Sequence, residues 1–295
     1  MAGYYLTGCS TADLTEQVFH DRGIPYACFH FELGGVDYLD DLGKSVPPAE
    51  LFRRMAEGAS TRTSQITVGE YEAFFEPLLK EGKDILHITL SSGISGTYNS
   101  ACIAQKDLAE RYPDRKLYIV DSLGASSGYG LLLEMLADRR DAGMGIDELR
   151  DWAEANKLRV QHWFFSTDLT YYIRGGRVSK VAGFMGQLLN ICPLLNVNSE
   201  GKLIPREKIR GKRAVTRRIV EKMVENAENG ADYDGKVLIS HSLCMKEALA
   251  VAGGVERAFP RTKGKIQIYD IGATIGSHTG PGTVALFFVG KEREL

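Results

Sequence analysis

The chain has 295 residues, 44% of them hydrophobic and 25% charged, with a formal net charge of −2. That length holds one large or two medium domains, and the near-neutral balance excludes a global basic field for nucleic acid. No apolar run approaches the roughly 18 residues that cross a bilayer, so no stable membrane insertion is expected. The first residues, Met1-Ala-Gly-Tyr-Tyr-Leu6, lack the basic start and apolar core of a secretory signal. Cys9, Cys28, Cys102, Cys192 and Cys244 are scattered without a C-x-x-C pair. That pattern suits reduced thiols serving as small core residues, so a cytoplasmic location is expected.

Apolar, β-branched runs near 3–7, 25–31, 84–90, 116–120, 159–166, 236–241, 265–270 and 283–289 read as strands. Helical periodicity is predicted near 12–22, 48–58, 68–81, 97–111, 125–142, 146–156, 168–173, 180–190, 212–228 and 243–258. Thr67-Val-Gly-Glu70 has capping-box spacing, and Gly23 and Gly143 stand where helices end. The alternation predicts an α/β chain whose mainly parallel sheets are covered by helices. Residues 192–209 break it with a hairpin around Gly201. Two domains are expected, 1–160 and 161–295, the second holding the hairpin.

The most informative loop follows the strand at 84–90: Ser91-Ser-Gly-Ile-Ser95-Gly96-Thr97, leading into a helix. Free backbone N–H groups and the helix dipole suit a small anion there, and Ser91, Ser92, Ser95 and Thr97 add donors. Simple helix capping is the other reading. Three further segments carry polar chemistry. Ser60-Thr-Arg-Thr63-Ser64-Gln65 reads as a polar connection between helices. Arg174-Gly-Gly-Arg177 sets two guanidinium groups around a tight turn. In Gly272–Gly282, His278 and Thr279 lie in a glycine-rich turn before the last strand. The other histidines lack ligand spacing, and no metal site or cofactor is expected. Nine Lys or Arg within 202–222, against Glu207 and Glu221, form either a solvated helix face or a docking surface for an acidic partner.

Thr63-Ser64-Gln65, Leu90–Ala101, Asp121-Ser122 with Ser126-Ser-Gly128, Arg174–Arg177 and Ile275–Gly282, in that order, resemble the DegV family of bacterial fatty-acid-binding proteins. The resemblance implies two α/β domains with one long-chain fatty acid between them, its tail in an apolar tunnel. It further implies that a fatty acid kinase partner phosphorylates the presented carboxylate, and that the binding protein is not itself an enzyme. Carried over by motif, Thr63 and Ser95 bind the carboxylate and His278 lies near it. Ser64, Gly96, Arg174, Arg177 and Thr279 are further head-group or partner contacts. Two positions depart from the family pattern: Gly8-Cys9-Ser10 replaces its usual Asp-Ser, and Ile191-Cys192-Pro193 its Ile-Lys-Pro.

A buried tail gains about 0.8 kcal/mol per methylene, which for a sixteen-carbon acid sums to the order of 10 kcal/mol before ordering costs. The helix at 180–190, with small residues at Ala182, Gly183 and Gly186, is expected to line the tunnel or pack in the core. The rival class is a serine hydrolase or acyltransferase using Ser95 with His278. Gly93-Ile-Ser95-Gly-Thr97 argues against it, because Thr97 stands where a nucleophile elbow has its second glycine.

Overall fold

The computed structural model of the chain describes residues 3–178 and 190–295. The expected helix at 180–190 therefore lies, Asn190 apart, outside the described residues. The first half carries strands β1 (Tyr4–Cys9), β2 (Tyr26–Ala27), β3 (His30–Leu33), β4 (Val36–Leu39), β5 (Thr61–Ser64), β6 (Asp84–Thr89) and β7 (Leu117–Asp121). From residue 160 onward run β8 (Val160–Ser166), β9 (Ile191–Val197), β10 (Leu203–Arg210), β11 (Leu238–His241), β12 (Gln267–Asp270) and β13 (Thr283–Val289). Helices α1 (Glu16–Asp21), α2 (Pro48–Ala56), α3 (Val68–Lys80), α4 (Thr97–Arg111), α5 (Ser126–Asp141) and α6 (Ile146–Asn156) precede β8. After it come α7 (Thr170–Arg174), α8 (Lys212–Asn226), α9 (Met245–Ala258) and α10 (Ala273–Thr279).

Helix ends follow local chemistry. Thr67 and Glu70 close the expected capping box at the start of α3. The helix predicted at 12–22 is shorter, because Asp13 takes a left-handed conformation (φ 47°) and the chain restarts from the Thr15 cap.

The three sheets among the described residues differ in character. Strands β2-β1-β6-β7 form a sheet that is parallel throughout, as expected from the intervening helices. The six-stranded sheet, order β10-β9-β8-β13-β11-β12, departs from the parallel expectation: among the described residues only β11 and β12 pair in parallel. The β9–β10 hairpin makes antiparallel neighbours without a long crossover, and β13 enters antiparallel between β8 and β11. The third sheet, β4-β3-β5, is antiparallel and corrects two expectations. The run at 25–31 is two strands in different sheets, and 61–64 is a strand rather than a polar connection. Gly34-Gly35 between the two alternating runs carried the signal for the β3–β4 hairpin.

One continuous core fills the space around both larger sheets. A smaller one, with Phe31, Leu33, Leu51, Phe52 and Ile271, lies between the third sheet, α2 and α10. That second core presses β5 against α10, where two of the predicted site residues meet.

Candidate functional site

The loop after β6 is built by contacts that use up most of its hydroxyls. Ser91 Oγ donates to Gly201 O at 2.9 Å and accepts from Gly93 N, so the hairpin turn sits on the loop. Only glycine fits at 93, since a Cβ there would lie 2.5 Å from Glu200 O. Ser92 N donates to the Asp121 carboxylate, and Thr97 Oγ1 pairs with buried Tyr71 OH at 2.9 Å. Ser95 alone of the four lines the cavity described next, although its Oγ also accepts from Thr97 N at 3.2 Å. The capping and ligand-facing readings thus meet in one side chain: an acceptor pair caps α4, and the hydroxyl proton remains to be donated.

A cavity of about 220 Å³ lies on one face of the six-stranded sheet, against α10 and the loops that follow β2, β6 and β7. Phe29, Ile94, Phe164, Leu203, Ile275 and Phe287 supply much of its wall. Its polar groups include Thr63, Gln65, Ser95, Arg177, His278 and Thr279, contributed by four separate segments of the chain. Thr63 Oγ1 is hydrogen-bonded to His278 Nε2 at 2.7 Å, and Thr61 Oγ1 donates to Ser277 O at 3.1 Å. These two bonds join β5 to α10. His278 therefore sits in the last turn of a helix, where the sequence suggested a flexible glycine-rich turn.

Burial, followed by the nearby Arg177 charge, pushes the His278 imidazole down to about 4, so it is neutral near pH 7. Its Nδ1 is buried without a hydrogen-bond partner among the described residues. Gly175 packs against that nitrogen so closely that a Cβ would come within 2.2 Å. Arg177 is partly buried. Its Nη1 donates to Gly175 O at 2.6 Å and its Nε to Ile94 O at 3.3 Å. Desolvation lowers its pKa, and among the described residues it has no carboxylate partner.

The same end opens toward a second recess, which shares Thr63, Arg177 and His278 and adds Arg62 and Arg174. Arg174 lines this outer recess and not the inner cavity. Ser64 is exposed and lines neither. Gly96 does line the cavity, and the Gln65 amide lies against it, 2.3 Å from where a Cβ would stand. Sequence reasoning quoted Gln65 within a motif without giving it a place in the site. It also missed Tyr172 and Thr283, which pair at 3.0 Å and line the cavity. Nothing in their spacing marked them, because only the tertiary packing of α7 against the start of β13 brings them together.

Both departures from the family pattern are buried. A Cβ at Gly8 would stand 2.7 Å from Leu133 Cδ1 and 2.8 Å from Tyr129 OH, and the adjacent Cys9 thiol, pushed up to about 12 by burial, packs near Tyr71 OH and His87 Nε2. Cys192 lies within β9. The expected basic docking face is largely neutralised within the protein. Arg218 pairs with Glu207, Glu221 and Glu225, Lys222 with Glu207 and Glu225, and Lys212 with Glu247. Glu225 and Glu247 lie beyond the basic stretch 202–222 in sequence and reach it only in the fold. No described helix is long and apolar enough to cross a membrane, and no metal-binding cluster occurs among the described residues.

A family model described as an uncharacterised protein of the DegV family matches residues 9–291. A DegV domain-containing protein of Clostridium perfringens is 35% identical over 97% of each chain. Among solved structures, a DegV lipid binding protein of Thermotoga maritima is 26% identical, covers 99% of both chains and superposes with a TM-score of 0.84. A DegV family protein of Thermus thermophilus, described by its fatty acid binding, is 25% identical with a TM-score of 0.85. That match covers 99% of this chain and all of the other.

Proposed function

The chain belongs to the DegV family, and from that premise we propose that it binds one long-chain fatty acid and presents its carboxylate to a fatty acid kinase. The acid lies between two α/β domains, 1–160 and 161–295, with its tail in the inner cavity. The observation that carries this reading is the segregation of the cavity: apolar walls lead to one polar end, where Ser95, Thr63, His278 and Arg177 converge. A neutral imidazole and hydroxyls bind a carboxylate by hydrogen bonds, and the nearby guanidinium supplies the compensating charge. Arg62 and Arg174 in the outer recess favour the added negative charge of a phosphorylated head group.

The protein is a cytoplasmic carrier without chemistry of its own. Binding rather than hydrolysis is supported by the partner of His278. Its Nε2 is engaged by Thr63, and among the described residues it has no hydrogen bond with Ser95 Oγ, so the two are not arranged as a nucleophile–base pair.

Calorimetry with a long-chain fatty acid tests the assignment. Losing a hydrogen bond to a charged group costs about 1.5–3 kcal/mol, so Ser95→Ala and Thr63→Val are each expected to weaken binding by roughly 10- to 150-fold. Wild-type affinity in both variants, with undiminished acyl phosphate formation by a purified kinase, overturns the roles given to these residues.

A further inference from the structure

The cavity floor is one face of the six-stranded sheet, and its register gives the cavity a direction. On β8 and β13, Ser166 faces Thr283, Phe164 faces Ala285, and His162 faces Phe287. Alternate residues share a face. Phe164 and His162, with Thr283, Ala285 and Phe287, line the cavity. The polar end lies at the start of β13, because His278 and Thr279 precede Thr283 by only a few residues. From Thr283 the floor runs along β13 to Phe287, about 13 Å at the usual rise per residue. The next rung, Val160 opposite Val289, does not line the cavity. Val197, next along β9 from Asn196 opposite Trp163, completes the last rung beside His162.

His162 is fixed there. Its Nδ1–H donates to Val160 O at 2.9 Å, and Ala125 N–H donates to Nε2 at 3.3 Å. The backbone at the entry to α5 closes behind the ring: a Cβ at Gly128 would stand 2.3 Å from Nε2, and one at Gly124 2.7 Å. Phe287 packs edge-on in front, with ring centroids 5.3 Å apart. Both ring nitrogens are thus spent on backbone groups, and carbon is what the imidazole offers the cavity. We propose that His162, wedged between α5 and Phe287, is the stop that sets the longest acyl chain this protein accepts. The inference rests on the fatty-acid-binding reading above and adds the element that selects among acids by length.

The test is a chain-length profile. Affinities of wild type and variants for saturated acids from C12 to C20, below micelle formation, are measured by calorimetry. Wild type is expected to show an optimum and a sharp loss beyond it, since a close-packed wall senses single methylenes. His162→Ala is expected to move the optimum up by about two carbons and to bind the longer acid on the order of tenfold more tightly than wild type does. Phe287→Ala shifts it the same way should His162→Ala fail to fold. Ala285→Leu, one rung nearer the polar end, moves it to shorter acids. An unchanged optimum in the folded rung variants, with wild type binding well, overturns the stop alone. Absence of binding of every acid by wild type overturns the fatty-acid reading itself, and this inference with it.

Discussion

His278 is where the residue-scale chemistry is most exposed to test. Its pKa falls from an ordinary 6.5 to about 4, first through burial and then through the Arg177 charge. Between those values the unfolded chain holds a proton that the folded chain lacks. Stability contributed by the neutral ring is therefore present above about pH 6.5 and lost as pH falls toward 4, at most a few kcal/mol in all. Buried His87, lowered to about 3, and His162, lowered well below its ordinary value, act in the same direction. Buried Asp13 and Asp40, with raised pKa values, act in the opposite direction, so the measurement is the difference in pH slope between wild type and His278→Gln in urea unfolding of ligand-free protein between pH 4.5 and 7. His278→Gln removes about one proton's share of that slope. A variant with the wild-type slope shows that the ring is not held neutral. The Cys9 surroundings add a second lesson at this scale. At its neighbour Gly8, where the family carries a charged residue, a Cβ would stand 2.7 Å from Leu133 Cδ1 and 2.8 Å from Tyr129 OH, so glycine avoids the clash and the desolvation cost of a carboxylate there.

At the scale of elements, α10 depends on distant segments. Its N-cap residue is Gly272, which has no side chain to cap with. Two buried acids do so from elsewhere in the chain. Asp13 accepts from Gly272 N at 3.0 Å and from Ser126 Oγ, and Asp40 accepts from Thr274 N at 3.1 Å. Burial raises the pKa of both carboxyl groups, and the Asp40 charge raises that of Asp13 further. Removing the Asp40 carboxylate leaves a buried N–H unpaired. Asp40→Ala is expected to cost about 1–3 kcal/mol in denaturant unfolding. Because α10 carries His278, fatty acid affinity falls as well. Stability and affinity both matching wild type exclude the capping role. The β9–β10 hairpin shows the same dependence, its turn held by Ser91 of the first half.

The whole molecule is tied across its halves by the segments that enclose the cavity. Arg293, nearly fully buried, donates to the carbonyls of Leu123 and Asn198 at 2.8 and 3.0 Å, linking the chain's last residues to both sides. On the proposed reading the acid binds only when the two halves are assembled, so it stabilises the folded state by mass action. At a hundredfold excess over Kd the gain is about 2.7 kcal/mol, expected to raise Tm by roughly 4 °C. Differential scanning calorimetry of delipidated protein checks this. Mass spectrometry of protein purified from a bacterial host is expected to find about one fatty acid per chain, because so enclosed a tail leaves slowly. No Tm shift with any acid from C12 to C20 contradicts the carrier reading.

Local chemistry determined a good deal by itself. The helices α3, α4 and α6 begin and end where caps, glycines and apolar periodicity place them, because those signals act within a few residues. Gly201 marked the hairpin for the same reason, and the ordered motifs from Thr63 to Gly282 carried the family. What the sequence left open lies in long-range pairings. Whether strand 283–289 runs parallel or antiparallel to its neighbours is settled by what it packs between, not by its own residues. The hydroxyls of Ser91 and Ser95 look alike in sequence, yet one is consumed by a hairpin more than a hundred residues away and the other faces the cavity. Equally, an isolated His162 gave no sign of its place. Its role follows from a sheet register and two close glycines, which act through space and leave no periodic trace in the chain.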